Sequence, residues 1–213
     1  MKDLSKKISN KEVLQLLQKS EQAKFSNDYP LALKYAEQAL AKDPTCSEAA
    51  EEIADNYLYL EEIEKAENAA DFAVSLDPKS YTALYILGFI ASRKNKFTQS
   101  IDYLEMANDL SPNHPEILRS LGWSYFMAKK ELKGTVILER ALNLSPDDSM
   151  ILCDLGFCYL KQNQLDKSLD ILYRALEINP NDERVRECIQ LAESLKGTNS
   201  PKKTPLSPKR RLV

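Results

Sequence analysis

Five prolines, each 34 residues after the one before, constrain how this chain folds more than any other feature. They are Pro44, Pro78, Pro112, Pro146 and Pro180, and each closes a similar phrase, from EQALAKDP to YRALEINP. Proline lacks a backbone N–H and clashes with the preceding helical turn, so each one ends or redirects a helix. The spacing therefore predicts an array of equal segments, each closed by a proline.

Between the prolines, apolar residues recur with a helical period. Leu84, Leu87 and Ala91 fall at i, i+3 and i+7, and the pattern returns one and two segments later. A second stretch with helical periodicity follows in each segment, for example SIDYLEMANDL. Two helices of about 12–14 residues, joined by short turns, fill such a segment. The sequence thus predicts one helix pair per proline.

Small residues occupy three fixed positions in every segment. A glycine inside a helix costs ~1 kcal/mol relative to alanine, so a recurring one needs a packing reason. We expect the two helices of each pair to cross closely there, and larger side chains to destabilise the fold by overpacking. The positions hold Ser20, Ala54, Gly88, Gly122 and Gly156 (eighth), Ala32, Ala66, Ser100, Gly134 and Ser168 (twentieth), and Ala39, Ala73, Ala107, Ala141 and Ala175 (twenty-seventh).

The period, the small residues, the Leu–Leu–Gly–Tyr stripe and the closing proline resemble the tetratricopeptide repeat. The resemblance implies an all-α fold, a right-handed superhelical solenoid of helix-turn-helix repeats. This sequence departs from the family at the fourth position, where leucine or alanine replaces a frequent tryptophan, and in lacking glycine at the eighth position of the first two repeats. The five repeats are 13–46, 47–80, 81–114, 115–148 and 149–182.

The two ends differ from the repeats. We predict a polar leader over residues 1–12, with Ser9–Glu12 as a capping box for the first helix. Residues 183–196 are predicted to form an amphipathic helix that caps the array, with Gly197 as its C-cap. The proline-rich stretch 197–213 is predicted to be a disordered tail.

Charge is distributed unevenly. From Lys196 onward there are six basic and no acidic residues, while the rest of the chain has 23 basic and 32 acidic residues. The tail's Ser-Pro and Thr-Pro pairs, at Ser200, Thr204 and Ser207, resemble proline-directed kinase sites, and its basic run resembles a nuclear localisation signal. The acidic body disfavours nucleic acid as a partner. One hypothesis is that the tail docks on an acidic surface of its own chain.

The composition argues against an enzyme. Five glycines disfavour P-loop and Rossmann architectures, and one histidine with four cysteines, none in CxxC spacing, supplies no metal or catalytic centre. We predict no catalytic residues, no metal and no cofactor, with the cysteines acting as small hydrophobes and His114 facing solvent in a turn. No stretch is apolar enough for a secretory signal or a membrane span, so we predict a cytoplasmic protein, with nuclear entry through the tail as the alternative.

A second apolar row lies on the first helices of repeats three to five. It is rotated by about 100–140° around the helix axis from the stripe that holds Leu84, Leu87 and Ala91. In proteins that this chain resembles, these positions line the concave groove that holds an extended or helical peptide. An exposed aromatic row is also a binding patch in physical terms. Packing on neighbouring helices or on a dimer mate is the alternative. The predicted groove residues are Tyr85, Phe89, Trp123, Phe126, Met127, Cys153, Phe157 and Leu160.

The matching positions of the first two repeats, which also hold Leu17, Lys24 and Leu58, are mainly acidic. They include Glu21, Glu48, Glu51 and Asp55. A ligand with apolar anchors at one end and basic residues at the other would complement such a groove, and ordinary solvation of the acids is the alternative. Tetratricopeptide co-chaperones that clamp a C-terminal carboxylate use lysines, an arginine and asparagines here, so that subclass is disfavoured.

Taken together, these features predict a non-catalytic scaffold or adaptor that binds a peptide or helix of a partner protein. One alternative is a chaperone that masks an apolar segment of a client, as the small acidic tetratricopeptide chaperones of type III secretion do. The other is a structural subunit that self-associates through its aromatic face as a homodimer.

Overall fold

The computed structural model describes residues 2–199, and side chains from residue 11 to residue 197. The predicted disordered tail with its Ser-Pro and Thr-Pro pairs lies almost wholly outside the described residues. Within the described range the chain forms eleven α-helices. They are α1 (Lys2–Phe25), α2 (Tyr29–Lys42), α3 (Ser47–Tyr59), α4 (Ile63–Leu76), α5 (Tyr81–Arg93), α6 (Phe97–Leu110), α7 (Pro115–Met127), α8 (Glu131–Leu144), α9 (Ser149–Lys161), α10 (Leu165–Ile178) and α11 (Glu183–Asn199).

The predicted helix pairs are confirmed. Each of the five periodic prolines lies in a turn, two residues after the last residue of a second helix. Side chains cap several of the helices that follow: the Ser80 hydroxyl accepts a hydrogen bond from the Ala83 N–H at 3.0 Å, and the Asp148 carboxylate accepts from Met150 and Ile151. Proline thus stops each pair, and a polar side chain often starts the next.

The turn inside every helix pair uses a left-handed residue at one fixed place in the repeat. These residues are Asn27, Glu61, Asn95, Lys129 and Asn163, and φ is between 56° and 67° at all five. Asparagine tolerates this conformation because its short side chain bonds locally, whereas other residues with a Cβ atom lose roughly 1 kcal/mol. The turn geometry is therefore kept even where the residue type does not favour it.

The predicted close crossing of the paired helices is also confirmed. Ser100 Oγ, on α6, donates to the Gly88 carbonyl oxygen of α5 at 2.7 Å. On α8, a Cβ atom added to Gly134 would lie 2.6 Å from the Gly122 carbonyl oxygen and 2.6 Å from the Phe126 nitrogen. Backbone meets backbone at this crossing, whereas at Gly88 and Gly156 a Cβ atom would meet a leucine side chain of the paired helix. Both kinds of close contact favour small residues at the eighth and twentieth positions.

The chain divides between Leu144 and Ser145 into two compact bodies. The N-terminal body holds α1–α8, and its first helices α1, α3, α5 and α7 contact one another in that order. One of its core clusters gathers Leu84, Leu104 and Leu121 with their neighbours. The C-terminal body holds α9–α11, and α11 packs on both α9 and α10. This arrangement places the first helices of the N-terminal body side by side.

Two expectations about the ends are wrong. Helix α1 begins at Lys2, so Ser9–Glu12 lies inside it and does not cap it. No proline or glycine interrupts residues 2–12, and a capping box needs a non-helical first residue. Helix α11 continues through Gly197 to Asn199, so this glycine is not a C-cap and does not take a left-handed φ.

Candidate ligand-binding face of the first helices

The ninth position of successive repeats changes from acidic to aromatic along the N-terminal body. It holds Glu21 on α1, Asp55 on α3, Phe89 on α5 and Trp123 on α7. Because these four helices contact one another in order, the change in side-chain chemistry runs across adjacent elements. One part of the face suits apolar groups and the other suits cations.

The aromatic row, defined here as Tyr85, Phe89, Trp123 and Met127, lies on α5 and α7. All four side chains are partly exposed. The Tyr85 and Phe89 ring centroids lie 6.3 Å apart, with the rings tilted by 33°. Burial raises the pKa of the Tyr85 hydroxyl, and the Arg119 charge acts in the opposite direction. Four predicted groove residues thus keep surface that a ligand can cover.

Three other predicted groove residues do not offer such a surface. Phe126, Cys153 and Leu160 are only 5%, 8% and 5% exposed. Phe126 and Leu160 each follow a core glycine by four residues, which places them on the same side of the helix as the core. For these residues the alternative of packing within the protein replaces groove lining.

In the C-terminal body, the predicted groove residues Phe157 and Leu160 differ in their surroundings. Phe157 is partly exposed, and the Lys161 ammonium lies 5.2 Å from its ring centroid. Leu160 packs instead in a cluster with Leu165 and Ala192, beneath α11. Phe157 therefore retains a surface that a ligand can reach, and Leu160 belongs to the core.

A cleft of about 330 Å³, called the acidic cleft below, opens where the acidic part of the N-terminal body meets the row. It brings together three predicted site residues, Glu51, Asp55 and Tyr85. Helices α1, α3, α5 and α7 all contribute to its walls, so it spans the first helices of four repeats. The other lining residues are Lys24, Glu52, Tyr59, Tyr81, Thr82, Ile86, His114, Glu116 and Ile117.

The carboxylates of the acidic cleft differ in their partners. The Lys24 ammonium lies 3.0 Å from the Glu52 carboxylate and 2.8 Å from that of Asp55. Burial lowers the pKa of Lys24, but its bonds to Asp55 and Glu52 outweigh this and raise the pKa above its usual value. Burial raises the pKa of Glu51, against the effect of the Ser80 hydroxyl, which donates to Glu51 at 2.6 Å.

The other two predicted acidic residues lie outside the acidic cleft. Glu21 lines a smaller cavity of about 280 Å³ together with Lys24, Phe25, Tyr29 and Tyr59. Glu48 is exposed at the start of α3, with its carboxylate 3.4 Å from the thiol of Cys46. The sequence prediction thus located the acidic region but not its division between two cavities.

Two exposed aromatic side chains near the acidic cleft, those of Tyr59 and Phe25, were not predicted from the sequence. The Tyr59 ring stacks on Tyr29, with centroids 4.5 Å apart and planes 8° apart, and Tyr59 is 57% exposed. Phe25 is 82% exposed. Tyr59 and Phe25 occupy the thirteenth position of their repeats, the same position as Met127. That shared position is the signal that would have identified them.

The expectation that His114 faces solvent is wrong. Its side chain is partly buried, lines the acidic cleft and lies 6.0 Å from the Tyr81 ring, measured between centroids. As the residue before Pro115 it has an extended backbone at the start of α7. Among the side chains described, residues 11–197, no three metal-ligating groups lie together as an ion would need. None of the described helices has both the length and the hydrophobicity to cross a membrane.

Comparison with known families decides the classification. Two family profiles, both described as tetratricopeptide repeat, match residues 51–115 and 149–182. The chain contains tetratricopeptide repeats. The all-α solenoid fold class predicted from its sequence is confirmed by solved tetratricopeptide structures. These repeats support a general role as a protein-interaction scaffold. No curated protein sequence matches the chain.

Several solved structures resemble this chain. A thermophilic TPR protein of Thermus thermophilus is 25% identical, with 86% of this chain and 99% of that chain covered, at a TM-score of 0.68. The Cut9-Hcn1 hetero-tetramer of APC/C has a TM-score of 0.80 and 21% identity, with 92% of this chain and 40% of that chain covered. YrrB, a TPR protein with an unusual peptide-binding site, has a TM-score of 0.61 and 19% identity, with 88% of this chain and 94% of that chain covered.

Proposed function

We propose that this protein binds a peptide or helix of a partner protein along its first helices and acts without catalysis. The observation that carries the proposal is the aromatic row, whose four side chains are partly exposed on two helices in contact. Grouped apolar surface in contact with water is unfavourable, and a ligand that covers it gains the corresponding free energy. Aromatic side chains at such positions are typical anchors of protein interfaces.

The expected strength of each anchor follows from its size. A large aromatic side chain buries about 150–250 Å² when fully covered, and part of that area is already buried in the free protein. Truncating an anchor to alanine typically weakens binding by at least about tenfold. Removing several anchors together is therefore expected to abolish detectable capture of a ligand.

The proposal is tested by affinity capture from the native lysate. The wild-type chain is compared with the triple variant Phe89→Ala/Trp123→Ala/Phe157→Ala, after circular dichroism has shown that its helix content is retained. Proteins captured by the wild type and lost with the variant support binding at the first helices. An identical set of captured proteins for both chains overturns the proposal.

A matched control removes apolar surface from second helices. Phe72→Ala/Met106→Ala/Leu110→Ala truncates exposed side chains of α4 and α6 and is expected to leave capture unchanged. Sedimentation tests the self-assembly alternative on the same proteins. A concentration-dependent dimer that Trp123→Ala abolishes would assign the aromatic row to contact between two copies instead of a separate ligand.

A further inference from the structure

We infer that the acidic cleft accepts a cationic side chain, arginine or lysine, of the protein ligand. The ligand would then carry a basic residue beside its apolar anchors, because the acidic cleft shares Tyr85 with the aromatic row. This inference rests on the proposed function and adds the chemical class of residue that the ligand presents to the acidic cleft.

The balance of charge in the acidic cleft favours a cation. Four carboxylates line it, those of Glu51, Glu52, Asp55 and Glu116, against the single ammonium of Lys24. Lys24 pairs with Glu52 and Asp55, which leaves Glu51 and Glu116 for a second positive charge. Low-dielectric walls concentrate the field of unbalanced charges and attract ligands of opposite sign.

The protein's own lysine shows that the acidic cleft holds a cation well. The Lys24 side chain reaches from α1 to two carboxylates of α3, with both contacts at 3.0 Å or less. Charge-assisted hydrogen bonds of this length are among the stronger polar contacts in proteins. A ligand ammonium or guanidinium entering beside Lys24 would find the same chemistry in Glu51 and Glu116.

Exposed aromatic rings also line the acidic cleft and add a second means of attracting a cation. Tyr59 and Tyr81 line it and are 57% and 41% exposed. A cation above the face of a tyrosine is attracted by the ring quadrupole. The chain uses this contact elsewhere, since the Lys133 ammonium lies 3.8 Å from the Tyr125 ring centroid. Carboxylates beside exposed tyrosines suit arginine in particular, because its planar group both stacks and donates hydrogen bonds.

The Glu51 carboxylate has a neutral hydrogen-bond donor, the Ser80 hydroxyl, as its partner. This carboxylate is partly buried, and burial raises its pKa. Keeping a partly buried carboxylate with only neutral hydrogen-bond partners among the described residues costs free energy. A bound guanidinium would lower that cost, which favours binding of a cation beside Glu51.

The test uses two capped tripeptides, acetyl-Ala-Arg-Ala-amide and its neutral isostere with citrulline in place of arginine. Binding to the full chain is followed by ¹H–¹⁵N NMR at low salt. The arginine probe is expected to shift amides of α1, α3, α5 and α7 and to bind on the order of tenfold more tightly than the citrulline probe. Equal affinity of the two probes, or shifts confined to other helices, would overturn the inference.

Two charge variants are expected to change the affinity in opposite directions. Glu51→Gln/Glu116→Gln removes the two carboxylates of the acidic cleft that have no ion pair with Lys24. It should weaken binding of the arginine probe by several-fold or more. Lys24→Gln frees Glu52 and Asp55 and should strengthen it by a similar factor. The matched control Glu37→Gln/Glu64→Gln makes the same change in net charge on α2 and α4, outside the acidic cleft. If this control weakens the probe as much, the attraction is one of net charge alone, and the inference fails.

The outcome is separable from that of the proposed function. The tripeptides carry no apolar anchor, so the triple variant with Phe89, Trp123 and Phe157 truncated should bind the arginine probe as the wild type does. Loss of captured proteins together with equal binding of the two tripeptides would support the aromatic row and refute the cationic residue. Arginine-selective binding without any change in capture would refute only the proposed function.

Discussion

The backbone contact at Gly134 gives the sharpest test of why the helix pairs require small residues. A Cβ atom at this position would meet three backbone atoms, the Gly122 oxygen at 2.6 Å, the Phe126 nitrogen at 2.6 Å and the Phe126 Cα at 2.9 Å. No side chain can rotate away to relieve these contacts, so helices α7 and α8 would have to move apart. Overpacking of this kind costs about 1–3 kcal/mol and sometimes more.

The expected size of the effect for Gly134→Ala combines two opposing contributions. Replacing an interior helical glycine by alanine gains about 1 kcal/mol of helix propensity. Because the obstructing atoms are backbone, we place the overpacking cost at the upper end of its range and expect a net loss of about 2 kcal/mol of unfolding free energy. At Gly197, where a Cβ atom would have no neighbour within 4 Å, only the gain applies, so Gly197→Ala should be neutral or stabilising.

The assay is equilibrium unfolding in urea, followed by far-UV circular dichroism and by the fluorescence of Trp123, which lies on α7. Gly156→Ala provides an internal comparison, because the atoms it meets belong to the Leu172 side chain, at 2.5 and 2.6 Å. Shortening Leu172 to valine should therefore rescue Gly156→Ala in part. If Gly134→Ala and Gly197→Ala have the same midpoint and slope, close backbone contact is not what restricts the twentieth position.

Three further predictions concern buried polar groups. Ser100→Ala removes the donor to the Gly88 carbonyl and should lower the unfolding free energy by about 1–2 kcal/mol in urea, while Ser75→Ala, on an exposed surface, should change it by much less. Burial raises the folded-state pKa of Glu51 above its unfolded value, so ionising this group lowers stability as pH rises from about 4.3 through the folded pKa. Glu51→Gln should make the decrease in Tm across that range smaller, and an unchanged pH profile would contradict this reasoning. Burial raises the pKa of the Cys153 thiol to about 12. Iodoacetamide at pH 8 should therefore leave this thiol unmodified in the folded protein and label it in urea, as peptide mass spectrometry can show. Rapid labelling of the folded chain would contradict this prediction.

Much of the fold could be predicted because the repeat imposes it locally. The prolines determine where second helices end, and the glycines and serines of the eighth and twentieth positions determine where paired helices touch. Both are contacts within one repeat, so one sequence period contains the information. The start of α1 could not be predicted in this way, because Lys2 lies before the first period and no breaker separates it from Val13.

The candidate site was less predictable, since it depends on contacts between repeats. A helical projection puts Phe126 and Phe89 on a common apolar side, but burial separates them, because Phe126 packs against the core and Phe89 keeps partial exposure. The Lys24 bridge to Glu52 and Asp55 joins positions 28 and 31 residues apart. Charge counting alone could not show which carboxylates that bridge leaves unpaired.

The left-handed turns have a consequence for how such a protein can change. Glu61 and Lys129 hold a conformation that asparagine adopts more readily in the other three repeats, at a cost of roughly 1 kcal/mol each. The ion pair of Glu61 with Arg93, at 2.8 Å on an exposed surface, offsets little of that. Asparagine at either turn would increase the free energy of unfolding and so compensate for a destabilising substitution elsewhere. Side chains of the first helices can then be replaced to fit new ligands, while a single turn substitution restores the stability that is lost.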